Sequence, residues 1–279
     1  LDILHGYVYQ VKDEISLFDR ISRAKNNEDL KSFGVKKDRF DTIKEGAFIF
    51  KTILDELKID EVVTSGVGVR EGAYLADLLR TSNHKFPENF NVSVRSLLDR
   101  FQIDEKQSAY LGNNAKKIFD VLKPIHNLDN KFRSLLVISS KLHSIGSTLN
   151  FYKSNDNAFD FILNGLNYDF SHNSRVIVAH TIKFSKKSLP TKSEILKYEE
   201  LLPSLNVMQW MSFMISLNIA INQDLSRPKV SYTLQNNVLK IVLSNNSFMI
   251  QSNIDKLETP EDLVVEFLLF SFDFVFTFQ

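Results

Sequence analysis

Apolar and polar residues alternate along this chain with two different periods, and the change of period divides it into regions. In the run DEISLFDRISRAKNNEDLKSF, starting at Asp13, the residues Ile15, Phe18, Ile21 and Leu30 recur at helical spacing and predict one helix with one buried face. A second helix is predicted over AFIFKTILDELK, where Phe48, Ile49, Ile53 and Leu57 share a stripe. The stretch DEVVTSGVGVREGAYLADLL then predicts a short buried strand at Val62 and Val63, a glycine turn at Gly66 and Gly68, and a helix with Arg70 and Glu71 at its start. Strands alternating with helices indicate an α/β layer. Leu1 to Gln10 supply at most one further strand, so residues 1–80 read as the end of a domain.

Residues 81–92 are polar, contain Pro87 and lack periodicity, which marks a linker. From 93 to 225 every strong pattern is helical, with Asp104, Asp129 and Ser171 or Asn173 placed as N-caps and Gly146 as a C-terminal stop. Across 226–279 the period drops to two. Val230, Tyr232 and Leu234 alternate ahead of Asn236 and Asn237, which predicts a hairpin, and the second β-rich run extends through Ile250. Leu268, Phe270, Phe272, Phe274, Phe276 and Phe278 then line one side of a final strand, implying a small β-rich module packed on the helices.

Composition narrows the function classes. Over 279 residues, 34 basic side chains balance 34 acidic ones, which argues against a duplex DNA binder but leaves room for a local basic groove. Cysteine is absent, so disulfides and thiolate metal sites are excluded, in keeping with a reducing cytoplasm. No run reaches the roughly 18 to 20 apolar residues of a membrane span, and the first residues lack a signal-peptide pattern. The chain begins at Leu1 and reads as a piece of a longer one.

Three features carry candidate chemistry. The glycines Gly66, Gly68 and Gly72 approach a dinucleotide fingerprint, but Glu71 stands where the third glycine belongs, and its carboxylate would compete with a pyrophosphate at the helix N-terminus. A tight corner with Glu71 as a helix-start acid and Arg70 paired locally is the simpler reading. None of the six histidines has the spacing that puts two ligands on one helical face. KLHSIG around His143 resembles the LHDIG centre of metal-dependent HD-type phosphohydrolases, a resemblance that implies an aspartate where Ser144 stands; a packed or hydrogen-bonded histidine is the alternative. Lys183, Lys186 and Lys187, with Lys192 close behind, either complement a helix C-terminus or contact a polyanion.

The segment FGVKKDRFDTIKEGAFIFKTILDELKIDEVVTSGVGVREGAYLADLL resembles the exopolyphosphatase and guanosine pentaphosphate phosphohydrolase family through Asp38, Arg39, Gly46, Ala47, Ser65, Gly66, Gly68, Arg70, Glu71 and Gly72, and HGY at His5 to Tyr7 fits as well. The resemblance implies an α+β, mostly helical chain: the end of an actin/hexokinase-like lobe over 1–80, an HD-like helical domain over 93–225, and the small β-rich module over 226–279. It implies a parent enzyme that hydrolyses terminal phosphoanhydrides of inorganic polyphosphate or pppGpp with Mg²⁺, as a cytoplasmic homodimer.

The departures from the family pattern are local. Phe151, Asn155 and Asn157 stand where relatives often carry histidines, and Phe184, Ser185 and Lys186 replace a Tyr-His-Arg run, so His143 with Ser144 resembles a degenerate HD site without metal. The family's glycine-rich phosphate loops and catalytic glutamate have no counterpart here. The resemblance therefore leaves this stretch with no catalytic residue and with Arg70, Glu71, Lys183, Lys186 and Lys187 as ligand contacts. A non-catalytic regulatory or dimerisation module and an independent HD-type phosphohydrolase are the alternatives.

Overall fold

The computed structural model describes residues 4–86, 91–243, 248–261 and 263–269. The chain divides after His84 into two units, each with its own core.

In the first unit the strand β1 (Val8–Gln10) leads directly into helix α1 (Val11–Ser22). The single helix expected from Asp13 to Phe33 is two, because the chain breaks at Arg23 to Asn26 and restarts as α2 (Asn27–Ser32). The Asn26 side chain accepts the Asp29 N–H at 2.9 Å, and the Asp29 carboxylate in turn accepts the Lys25 N–H at 2.8 Å, so two side chains satisfy backbone donors that a continuous helix would have used. Helix α3 (Ile43–Glu56) packs on α1, with Phe18 and Phe50 ring centroids 5.5 Å apart. Strand β2 (Glu61–Val63) pairs antiparallel with β1, Val8 opposite Val63, and α4 (Val69–Leu78) follows the glycine turn.

One expectation about burial fails in this unit, and α3 buries residues that its spacing did not single out. The α3 residues that face its core are Ala47 and Leu54, whereas Phe48, Ile49, Ile53 and Leu57 are 45–68% exposed. Helix α3 is apolar on more than one side, and periodicity does not say which side meets a partner. Val63 is 59% exposed, so the strand is not a buried one, and α4 has no buried residue at all.

The second unit is built from α5 (Val92–Arg100), α6 (Glu105–His126), α7 (Asn130–Leu142), α8 (Ser154–Gly165), α9 (His172–Lys183), the single turn α10 (Lys192–Ile195) and α11 (Leu205–Ile221). Asp104, Asp129 and Ser171 cap α6, α7 and α9 by accepting backbone N–H groups. The helix expected over KSEILKYEELL is only α10 plus a 3₁₀ turn at Leu196–Tyr198. Helix α11 is apolar on all sides, and 12 of its 17 residues are buried, as expected of an element at the centre of a bundle.

Strands β3 (Val230–Gln235) and β4 (Val238–Leu243) form the expected hairpin, with Gln235 opposite Val238. Asn236 and Asn237 sit at φ 49° and 62°, the left-handed pair that a two-residue hairpin loop needs and that asparagine tolerates. The end of the expected second β run, Phe248 to Ile250, instead opens the helix α12 (Phe248–Ile254); β5 (Val264–Leu269) then returns parallel to β4. The phenylalanine stripe Phe270 to Phe278 lies outside the described residues. Leu239, Ile241, Leu243, Ile250 and Leu263 join the same apolar core as α6, α7, α9 and α11. The described chain is mostly helical α+β.

Candidate functional site

The glycine turn is a corner whose donors are already committed. The Gly66 N–H donates to His5 Nδ1 at 3.0 Å, the Val67 N–H to Ser65 Oγ at 3.1 Å, and the Gly68 N–H to the Glu71 carboxylate at 3.0 Å. A phosphate cradle needs such N–H groups turned outward together, so this turn does not supply one. Gly66 is required for a different reason: a Cβ there would stand 2.9 Å from the Cβ of His5. Glu71 closes the first turn of α4 through that bond. Arg70 beside it is exposed and, among the described residues, has no ion pair, so the local pairing expected for it does not form.

In the helical unit His143 is the C-cap of α7, and its Nδ1–H donates to the Ser140 carbonyl at 3.0 Å. Loss of hydration around the ring holds its pKa below the ordinary histidine value. Gly146, expected as a helix stop, is instead a point of close approach: a Cβ there would meet the Ser154 carbonyl oxygen at 1.9 Å and the Ala158 nitrogen at 2.5 Å. This contact brings the turn after α7 against the start of α8.

Two of the three positions that the resemblance marks as replaced histidines, Asn155 and Asn157, make neutral hydrogen bonds to other segments. Asn155 Nδ2 donates to the Ser185 carbonyl at 3.1 Å and lies 3.2 Å from the Ser185 hydroxyl. Asn157 Nδ2 donates to the Gly146 carbonyl at 3.2 Å. Among the described residues no group of three or more His, Asp or Glu side chains is placed to hold a metal ion.

Asn155 and Ser185 tie the start of α8 to the end of α9, and this places the lysines. Lys183 Nζ lies 4.6 Å from the Phe159 ring centroid, a cation–π contact, while Lys186 and Lys187 are exposed. None of the three is in an ion pair among the described residues. The nearby Glu194 carboxylate is held below its usual pKa chiefly by the Thr191 N–H, with small contributions from Lys186 and Lys183.

The histidine that geometry singles out is His180, which spacing alone did not distinguish. Its Nδ1–H donates to the Val176 carbonyl at 2.9 Å, and its ring lies 4.9 Å from both Phe159 and Tyr198 and 5.5 Å from Phe184. Burial among these rings pulls its pKa down to about 4, so the imidazole is neutral at pH 7. Phe184 lies one turn on at the end of the same helix, but Phe159 and Tyr198 come from α8 and from the turn after α10, which no local spacing reveals.

Comparison with known proteins places the chain. The model of the "Ppx/GppA phosphatase family" matches residues 3–81, and that of "Ppx/GppA phosphatase, domain III" matches residues 91–263. A guanosine-5'-triphosphate,3'-diphosphate pyrophosphatase of Photobacterium profundum is 23% identical over 193 residues, 66% of this chain and 38% of that protein. A protein of the same name from Aeromonas hydrophila subsp. hydrophila is 25% identical over 126 residues, covering 45% of this chain and 25% of its own length. The chain thus spans well under half the length of these curated relatives. With family matches over both units, the second of them covering more than half of its length, this chain belongs to the Ppx/GppA phosphatase family.

Proposed function

We propose that this chain is the C-terminal part of a phosphoanhydride hydrolase that removes terminal phosphate from inorganic polyphosphate or pppGpp with Mg²⁺. In this reading the first unit is the end of an actin/hexokinase-like lobe, residues 93–225 are an HD-like domain, and residues 226–279 are a small module on it. The whole acts as a cytoplasmic homodimer. The exposed apolar side of α3 and the unpacked α4 support the lobe reading, since both are surfaces that further layers of a lobe would cover.

The piece binds substrate and does not hydrolyse it. The observation that carries this is the pair of neutral bonds from Asn155 and Asn157, which occupy the HD-like positions with amide donors where metal chemistry needs imidazole or carboxylate. Lys183, Lys186 and Lys187 contact the polyanion, and exposed Arg70 supplies a further cation, with Glu71 fixing the start of its helix. Magnesium is bound by the rest of the parent enzyme and contributes nothing through the residues described.

Titration of the purified chain with polyphosphate at two salt concentrations tests the reading. Polyanion binding that weakens as salt rises, with no phosphate released above a boiled control, is expected. Phosphate release at the rate of a full-length relative, or no binding at low salt, would overturn it.

A further inference from the structure

Helices α6 and α7 pack along a common seam whose charges are unequally settled. Near the turn between them, Arg133 donates to both carboxylate oxygens of Asp120, at 2.7 and 2.6 Å, and the pair neutralises itself. About two turns further along α7 the seam carries Lys141, and here no carboxylate answers. Among the described residues Lys141 is in no ion pair. Its stem lies across α6 at Gly112: a Cβ at that position would stand 2.8 Å from Lys141 Cε and 3.3 Å from its Cγ, with Val137 Cγ1 at 3.5 Å. The missing side chain at Gly112 is what lets this long side chain lie down against the neighbouring helix, half-buried along its length.

The nearby charge on that face is a second cation. Lys116 stands four residues after Gly112 on α6, on the same side of the helix, and it too is half-buried and in no ion pair among the described residues. Burial first, and Lys116 second, hold the Lys141 pKa below the ordinary lysine value. An amine that is partly desolvated and beside a like charge offers its lone pair to an electrophile more readily than a lysine in water. Lys116 favours an electrophile whose leaving group is an anion. We propose that Lys141 is an acylation site for small acyl phosphates, with Lys116 drawing in the phosphate. The Nζ lone pair forms the bond to the acyl carbon, and the bond from that carbon to the phosphate oxygen breaks. Its electron pair leaves with inorganic phosphate, and the proton lost by the nitrogen passes to solvent. The product is a neutral amide, which ends the repulsion between the two lysines.

Timed treatment of the full chain with acetyl phosphate, read by peptide mass spectrometry, tests the site. Lys141 is expected to be acetylated ahead of Lys106 and Lys117, two exposed lysines of the same helix pair, and to lose that lead when the chain is unfolded in urea. The substitution K116Q slows acetylation of Lys141 about tenfold, the low end of what charge of one sign does to the local concentration of an anion. K116R retains the cation and keeps the rate. N-hydroxysuccinimidyl acetate, an acyl donor without charge, separates attraction of the phosphate from reactivity of the amine: K116Q slows this reagent less than it slows acetyl phosphate. Acetylation of Lys141 no sooner than Lys106 and Lys117 in the folded chain, or a lead that persists in urea, would overturn the site. This comparison needs no variant, so it holds even if a substitution disturbs folding. Equal slowing of both donors by K116Q, or no slowing of either, would overturn the part given to Lys116 and with it the choice of acyl phosphates.

Discussion

The side-chain amide of Asn155 donates to the carbonyl of Ser185 at 3.1 Å, tying the start of α8 to the residue just beyond α9. This carbonyl has left the helix, and the half-buried amide satisfies it. The substitution N155A leaves the Ser185 carbonyl without that donor and costs about 1 kcal/mol, read as a lower urea midpoint with an unchanged slope. An N155A protein as stable as its parent would show that solvent replaces the bond at no cost.

Two glycines give opposite outcomes under the same substitution. At Gly146 a methyl group meets backbone atoms, Ser154 O at 1.9 Å and Ala158 N at 2.5 Å, so the turn and α8 must separate. G146A is expected to cost about 3 kcal/mol or more, or to prevent folding of the helical unit. At Gly72, inside α4, a methyl group meets nothing within 4 Å, and G72A is expected to raise helix protection in hydrogen exchange by the roughly 0.5–1 kcal/mol that separates glycine from alanine.

What the sequence discloses and what it hides follow from the range of the forces involved. The caps Asp104, Asp129 and Ser171 are legible because each side-chain oxygen bonds an N–H two or three residues on, and the hairpin is legible because Asn236 and Asn237 meet its backbone demand by themselves. Asn26 breaks the first helix by the same local chemistry, a signal present in the sequence and outweighed by apolar period. The buried side of α3 was not legible, because Phe48 and Ile49 are as apolar as Leu54 and only a tertiary partner selects among them. Helix α12 was hidden behind the β-like run NSFMI. The family resemblance marked Asn155 as a departure, but the Ser185 partner 30 residues away needed coordinates.

Acid is expected to unfold the helical unit early, through histidines that are buried neutral. His126 is fixed as one tautomer, its Nε2–H donating to the Phe119 carbonyl at 3.0 Å and its Nδ1 accepting the Leu128 N–H at 2.9 Å, and burial lowers its pKa. Burial also draws His180 down to about 4. A histidine whose folded pKa lies below its unfolded value takes its proton more readily when unfolded. Stability is therefore complete above about pH 6.5 and declines as pH falls from there toward 4, with no further loss from His180 below that. His180 alone contributes roughly 3 kcal/mol to the decline. Urea midpoints measured between pH 7.5 and 4 test this. H180Q, which cannot titrate, should be less stable at pH 7.5 but show a shallower fall; an unchanged slope would remove His180 as the cause.

The last prediction concerns polar groups that hold α6, α11 and β3 in register. Asn218 Nδ2 donates to the Leu111 carbonyl at 2.9 Å, Asn114 Nδ2 donates to Asn218 Oδ1 at 2.9 Å, and the Tyr232 hydroxyl donates to Asn114 Oδ1 at 2.9 Å. Asn114 and Asn218 are buried, and burial also drives the Tyr232 pKa far up, so its hydroxyl stays a donor at any working pH. The members of the chain are unequal. Y232F removes one donor and leaves an acceptor on Asn114 that already belongs to a neutral amide, for a cost of about 1 kcal/mol. N218A strips partners from both Asn114 and the Leu111 carbonyl in a site closed to water and also opens a cavity, for about 2–4 kcal/mol. In a double-mutant cycle the two losses should not add, because both act on Asn114. Strict additivity in urea titrations would mean that Tyr232 and Asn218 are independent and that no connected network joins the hairpin to the bundle.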